Sequence, residues 1–565
     1  MRRILLLLSM WLVTAPVSAQ SVTVRGRVLD ASSLRPIQAA TLTIVESGTQ
    51  ALSDQSGRFL ITSGDPGSVS VRVDVLGYES ALETDVILRT SRSTYVEFRL
   101  ERKALELEGI VVGAPAFRVL EAAPVSTQLL SNQELRRTPG GLQDVSRTLL
   151  SLPGVLGGVD NRNDLLVRGG GPGENAYYID GIRIPQINHF ATQGASGGAL
   201  GLVNVDFIRE TEFFAGAFPV RYGDALSSVL SIENRPGSPE GVQGDFTLGA
   251  TEAALTLDGP AGDNSNWLFS VRRSYLQFLF EALGLPIRPD YWDTQFRFES
   301  QISDGDRLVL VGIGALDNFD IVPPAIGDDF ENFEIASRVI DNDQKSFTVG
   351  ASWRRLIEGG FVTTSVSQSR SHFSFEDPGD DGIPVLANDS EELDTRLTVQ
   401  GDFESRSGIT MAVGLDASRS SVEASVFQRS IPGGALTEDL AWDEGVVLHK
   451  LSAFAQTTVD LGSRVKLTGG LRADEVSTLD NGFEFSPRGS VLIDLGSGVT
   501  AQAGGGLYHQ APSLIALSVK DNGRPLNLSL RQQRNVQVAS GVSWTVNQGF
   551  RLSAEAFWKE YSRVP

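Results

Sequence analysis

NDLLVRGGGPGENAYYIDGIRIP, residues Asn163 to Pro185, is the stretch around which the rest of the chain can be interpreted. Two short β-prone runs, Leu165–Arg168 and Ala176–Ile179, flank a glycine-rich turn. Gly169, Gly170, Gly171 and Gly173 can each take positive φ, so the chain is expected to reverse there at little steric cost. Asp180-Gly181 supplies a second tight turn and a strong hairpin signal. Spacing alone therefore predicts a compact β unit with Arg168 and Asp180 at its two turns.

The flanks extend this unit. Upstream, Ser131-Asn132-Gln133-Glu134 fits a helix start, with Ser131 as N-cap and Glu134 at the third helical position. Gly141–Leu152 reads as a second helix, ended by Pro153-Gly154. Downstream, Val203–Phe214 reads as strand, and FPVRYGDALSSVLSIENRPG follows from Phe218 to Gly237. Gly194-Ala195-Ser196-Gly197-Gly198 matches G-x-S-x-G, but it lies in a glycine loop without the strand and helix a nucleophile elbow needs, so it is read as chance. Taken in order, these motifs resemble the plug domain of TonB-dependent outer-membrane receptors. The matching positions are Arg168, Gly169 and Gly170, then Asp180 and Gly181, then Arg221, Tyr222 and Gly223, with Ser227 and Ser228 after them. The plug is assigned to residues 117–236.

Residues 237–565 alternate strictly. In Trp292–Ile302, Trp292, Thr294, Phe296 and Phe298 share one face, while Asp293, Gln295, Arg297 and Glu299 share the other. Leu393–Phe403 and Val465–Ala473 repeat the pattern. Period two separates apolar from polar side chains across a sheet. There are roughly fifteen such segments, each near the length of a tilted membrane-crossing strand. A soluble sandwich of so many strands is unusual, and no propeller period is visible. A closed barrel is expected, because closure satisfies every backbone group in lipid. Tyr291, Trp292, Trp353, Trp544, Trp558 and Tyr561 are candidates for the interfacial girdles. The resemblance implies about twenty-two strands, so the chain is read as a partial barrel with roughly seven strands absent.

The N-terminal part carries delivery and coupling signals. Met1-Arg2-Arg3, the apolar Ile4–Val13 and the small residues Val17-Ser18-Ala19 form a signal-peptide pattern over residues 1–19. Five short β runs separated by turn residues follow, consistent with a small all-β sandwich over residues 20–101. Its order of motifs resembles the carboxypeptidase regulatory-like domain, with Asp54 and Asp74 read as turn and surface residues. Residues 102–116 are a linker. Within it, Glu108, Gly109, Ile110, Val111, Val112 and Gly113 form a β-prone patch able to add an edge strand to a partner sheet. Its place before the plug resembles the TonB box.

Composition bounds the chemistry. The 565 residues include no Cys and four His, so thiolate sites are excluded and a His-rich metal centre is not expected. His189, His372, His449 and His509 show no ligand spacing. No catalytic, cofactor-binding or metal-ligating set is assigned. With 48 basic and 69 acidic residues the net charge is -21, which disfavours nucleic-acid binding. Asp317–Asp343 holds eight acids and one Arg, and Glu376–Asp394 holds eight acids and no Lys or Arg. Both are expected as extracellular loops forming an acidic mouth.

The fold class expected is mainly β: an N-terminal sandwich, a small α+β plug and an antiparallel transmembrane barrel, incomplete here. The resemblance implies TonB-dependent transport of a scarce ligand, whether metal chelate, cobalamin-like or carbohydrate. The partners implied are the TonB complex, outer-membrane lipid and the nutrient itself. The implied location is the outer membrane, with the N-terminal domain in the periplasm. The alternative is a surface receptor that signals without transport. A secreted peptidase would need a metal-binding catalytic partner that the His spacing does not supply.

Overall fold

The computed structural model describes residues 22–102 and 125–564. Within these it omits 32, 64–65, 89–92, 159–161, 240, 250, 323–331, 333–334, 337–339, 379–383, 406–408, 431–438, 522–523 and 548–549. The signal-peptide pattern and the patch Glu108–Gly113 lie outside the described residues. The chain divides into two compact units.

The first unit is a seven-strand sandwich. One sheet orders Arg58–Ser63, Val22–Asp30 and Thr94–Leu100, the other Gln50–Leu52, Thr41–Ile44, Gly67–Asp74 and Ala81–Leu88. Two of these strands, Gln50–Leu52 and Ala81–Leu88, carry no clean alternation and were not anticipated from sequence. Val24, Leu42, Ile44, Ile61, Val71 and Phe98 fill the space between the sheets. Asp54 caps its turn by accepting from the Ser56 and Arg58 amides, each at 2.8 Å.

The second unit contains a five-stranded sheet and a fifteen-stranded one. The smaller sheet orders Ile182–Ile184, Asn175–Ile179, Ser228–Asn234, Ile208–Phe214 and Thr127–Ser131. Its strands close over an apolar core that includes Leu135, Leu149, Val167, Tyr177 and Ile232. The larger sheet is a sequential antiparallel meander from Gln243–Leu248 to Phe550–Ser562. Short turns such as Ser303–Asp306 and Ile357–Gly360 mark one end, and longer connections the other.

Its faces are inverted relative to a soluble protein. In Ile287–Ser303 the polar Asp293, Gln295, Arg297 and Glu299 are buried toward the plug, while Trp292 and Phe296 are exposed. That is the pattern of a strand set whose outer face meets lipid. Among the described residues no helix is long and apolar enough to cross a membrane.

Several local expectations are corrected. The second helix spans only Val145–Leu149. Leu142 and Gln143 take positive φ, so the chain turns there, and Asp144 becomes the N-cap. Val203–Phe214 is not all strand: Val205–Phe207 is a single 3-10 turn capped by Asn204, and the strand starts at Ile208. Tyr291 is buried and stacks on His189, and Tyr561 packs against the plug cluster around Phe218, so neither belongs to an outward girdle. Trp292, Trp353, Trp544 and Trp558 are exposed on the sheet. The helix at Ser131 is as expected, with both halves of the capping box formed.

Candidate functional site between plug and sheet

The glycine-rich unit is built differently from the simplest expectation. Of its four turn glycines only Gly169 takes positive φ, at 83°, and Arg168 itself sits at 51°. Gly170 is needed for space instead, because a Cβ there would run into Ser227 and the Tyr561 hydroxyl. Gly173 likewise approaches the Gly194 carbonyl. Asp180 and Gly181 both have positive φ, 48° and 80°, as a two-residue hairpin turn of the primed type requires.

Arg168 and Asp180 reach different strands of the surrounding wall. Arg168 donates from Nη1 to Ser126 Oγ at 2.7 Å and pairs with Glu555 at 2.8 Å, its guanidinium lying over the Phe557 ring. Ser126 also contacts Glu555 directly. Asp180 accepts from the Asn234 amide and side chain, each at 3.0 Å, and from Arg297 at 3.2 Å. Lys559 reaches in from the strand Phe550–Ser562 to the Val167 carbonyl and the Ser227 hydroxyl, both at 3.0 Å.

The second signature segment forms another set of fastenings. Arg221 pairs with Asp402 at 2.7 Å. Tyr222 packs between Tyr178 and Phe214. Gly223 has no room for a side chain, since the Arg472 guanidinium occupies the position of a Cβ. Arg488 donates to the carbonyls of Pro219 and Tyr222 at 2.7 and 2.8 Å. Asp224, one residue beyond the motif, joins Arg183 at 2.9 Å, Lys450 at 2.7 Å and the Ala511 amide at 3.0 Å. Burial alone would raise its carboxyl, but Lys450 and Arg183 outweigh burial and hold it well below the usual carboxylate range.

Sequence reasoning missed His189. Its ring is fully buried, with Nδ1 at 2.7 Å from Asp317 and Nε2 at 3.1 Å from Asp293. Both nitrogens can donate only in the imidazolium form. Burial opposes that charge, yet the two carboxylates prevail and raise the pKa to about 9. Arg272 closes the network on Asp293 and on the Leu202 carbonyl at 2.7 Å. A search for metal-ligand spacing could not find this histidine, because its partners lie on distant strands.

The acidic stretches are corrected only at their flanks, since Asp328, Asp329, Glu331, Glu334, Asp380 and Asp381 lie outside the described residues. Asp317 is buried against His189 rather than in a loop. Asp341 and Asp343 lie in the strand Asp341–Ile357, Glu376 in Gly360–Pro378, and Asp389 in Pro384–Glu404. Asp343, Asp389 and Asp443 fall on one register row. They alternate with Asn342, Asn388 and Val426, of which Asn388 bonds the plug residue Gln193. These acids therefore face away from the plug. Among the described residues no group of three or more His, Cys, Asp or Glu side chains is arranged to hold a metal ion.

Comparison with known proteins agrees with this architecture. Residues 23–101 match the carboxypeptidase regulatory-like domain family. Residues 119–229 match the TonB-dependent receptor plug domain family. Residues 266–564 match the TonB dependent receptor-like β-barrel family. No curated protein matches the chain. Among solved structures, the siderophore receptor PirA of Acinetobacter baumannii superposes with a TM-score of 0.60 at 16% identity, over 77% of this chain and 70% of that one. A ferric enterobactin receptor of Pseudomonas aeruginosa gives 0.60 at 16% identity, over 78% and 71%. The outer membrane transporter YddB of Escherichia coli gives 0.54 at 14% identity, over 75% and 67%.

Proposed function

The chain belongs to the TonB-dependent receptors of the outer membrane, and from that premise we propose that it carries a scarce nutrient inward, driven by TonB. A metal chelate is the favoured class, since the relatives named above include receptors for siderophores and ferric enterobactin. In this reading the sandwich lies in the periplasm. Glu108–Gly113 in the linker 102–116 pairs with TonB as an added strand, and the plug and partial barrel occupy 117–236 and 237–565.

The observation that carries the proposal is the position of Ser126. It immediately precedes Thr127–Ser131, the edge strand of the plug sheet. Its hydroxyl joins the Arg168–Glu555 pair, and its carbonyl accepts from the Ala215 amide at 2.8 Å. A pull transmitted along the chain from the linker thus loads the bond between the glycine-rich unit and the wall. The chemistry of the site is mechanical and electrostatic: the signature residues hold the plug and make or break no covalent bond.

A pair of linker substitutions tests this. Val111→Pro removes a donor and fixes φ, so a ladder bond to TonB is lost. Val111→Thr keeps both donor and β preference. The proline variant is expected to insert and bind at the surface but fail to accumulate nutrient, with the threonine variant near normal. Normal accumulation by the proline variant would refute the assigned box.

A further inference from the structure

The plug touches its wall in two chemically different ways. On one side Ile179, Ile182 and Ile184 face Val311 and Ile313 around a void of about 10 Å³. There the wall residue Gly350 leaves the room that the Ile182 side chain fills. On another side Arg183, Arg221 and Asp224 face Asp402, Lys450 and Arg472. Neighbouring wall pairs continue this charged surface, with Arg396–Asp416 and Arg472–Asp474 each at 2.7 Å. The void among these groups is about 20 Å³, room for one water.

These two sides respond differently to separation in water. Parting the isoleucine side exposes apolar area, at a cost that grows with that area. Parting an ion pair lets both ions recover the hydration that burial removed, so the lost attraction is largely repaid. A solute crossing the wall would also be better matched by a charged, hydratable surface than by isoleucine.

We infer that the passage opens along the charged side, between the plug edge bearing Arg183, Arg221 and Asp224 and the strands from Pro384–Glu404 to Val465–Val476. The isoleucine side stays closed and serves as the support about which the plug shifts. This rests on the transport reading above and adds where in the wall the path lies.

The absence of cysteine makes the test direct, since one introduced thiol is the only one present. Ser452→Cys places it on the charged side, where Ser452 donates to Asp474 at 2.7 Å. Thr348→Cys places it on the isoleucine side, where Thr348 shares a hydrogen bond with Ser369. Both positions are buried. A membrane-impermeant methanethiosulfonate reagent is applied to intact cells, energised or treated with a protonophore. Detergent denaturation gives the full-labelling reference for each variant. Labelling is expected to rise several-fold with energisation at Ser452→Cys and to stay at the protonophore level at Thr348→Cys. Should Ser452→Cys fail to assemble, Ser418→Cys, buried beside Arg396 in register, serves the same purpose.

An equal or larger rise at Thr348→Cys, or no rise at either site, would overturn the inference. The labelling needs no ligand, so the two proposals fail separately. A chain that labels as expected but accumulates nothing in TonB-bearing cells loses the transport reading and keeps the path. A chain that accumulates nutrient while only Thr348→Cys responds keeps transport and loses the path.

Discussion

Arg168→Ala removes the guanidinium that joins the glycine-rich unit to the wall. That side chain is 7% exposed and makes one ion pair, one hydrogen bond to Ser126 and one ring contact. Deleting one partner of a fully buried pair typically costs about 3–5 kcal/mol. Glu555 keeps 23% exposure and can be partly rehydrated, which discounts the loss to about 2–3 kcal/mol. Hydrogen exchange of amides in Leu165–Val167 and Asn175–Ile179, measured on the purified receptor, reads local opening of the plug. The expected loss corresponds to exchange about 25- to 140-fold faster. A double-mutant cycle with Glu555→Gln should return a coupling of about 1–2 kcal/mol. Unchanged exchange in Arg168→Ala, or strict additivity in the cycle, would refute the argument that this pair fastens the plug.

Three further outcomes are expected. Gly181→Ala forces a Cβ into the left-handed region at the hairpin turn, so exchange in Asn175–Ile179 should reflect a loss of about 1–2 kcal/mol. Gly223→Ala displaces the Arg472 guanidinium, and limited proteolysis of the plug should become faster even though the change adds only one methyl group. The His189 anchor should be pH-dependent. Its folded pKa is raised to about 9 against an ordinary value of about 6.5. Its contribution is therefore complete below about pH 6.5 and is lost as pH rises through about 9. The protection factors around Asn188, corrected for the intrinsic pH dependence of amide exchange, should fall across that window, and His189→Gln should remove that fall.

Much of this architecture was legible because its signals are local. Period-two alternation identifies strands without knowledge of their neighbours, and positive φ at Asp180-Gly181 follows from the residues themselves. The capping box at Ser131 is equally local. Other readings failed where tertiary packing decided. Gly141–Leu152 has helical composition, yet its first residues turn so that Asp144 can cap the helix and also accept from Asn163 and the Gly201 amide. Gly170 and Gly173 look like turn residues but are required by close approach of other parts of the plug and wall. Asp341, Asp343, Glu376 and Asp389 looked like loop residues because a strand that extends beyond lipid is freed from apolar patterning. His189 and Asp224 were invisible as sites, since each acquires its meaning from charges on strands more than a hundred residues away.

In the proposed function, binding at the surface and passage through the wall are separate events, and only the second needs TonB. The direct measurement loads a panel of radioiron chelates onto cells expressing the receptor, in otherwise identical strains with and without TonB. Bound and internalised label are then counted on the same cells. At least one chelate is expected to bind equally in both strains and to accumulate only where TonB is present. Accumulation that persists without TonB, or a bound chelate that never enters TonB-bearing cells, would contradict the proposed function.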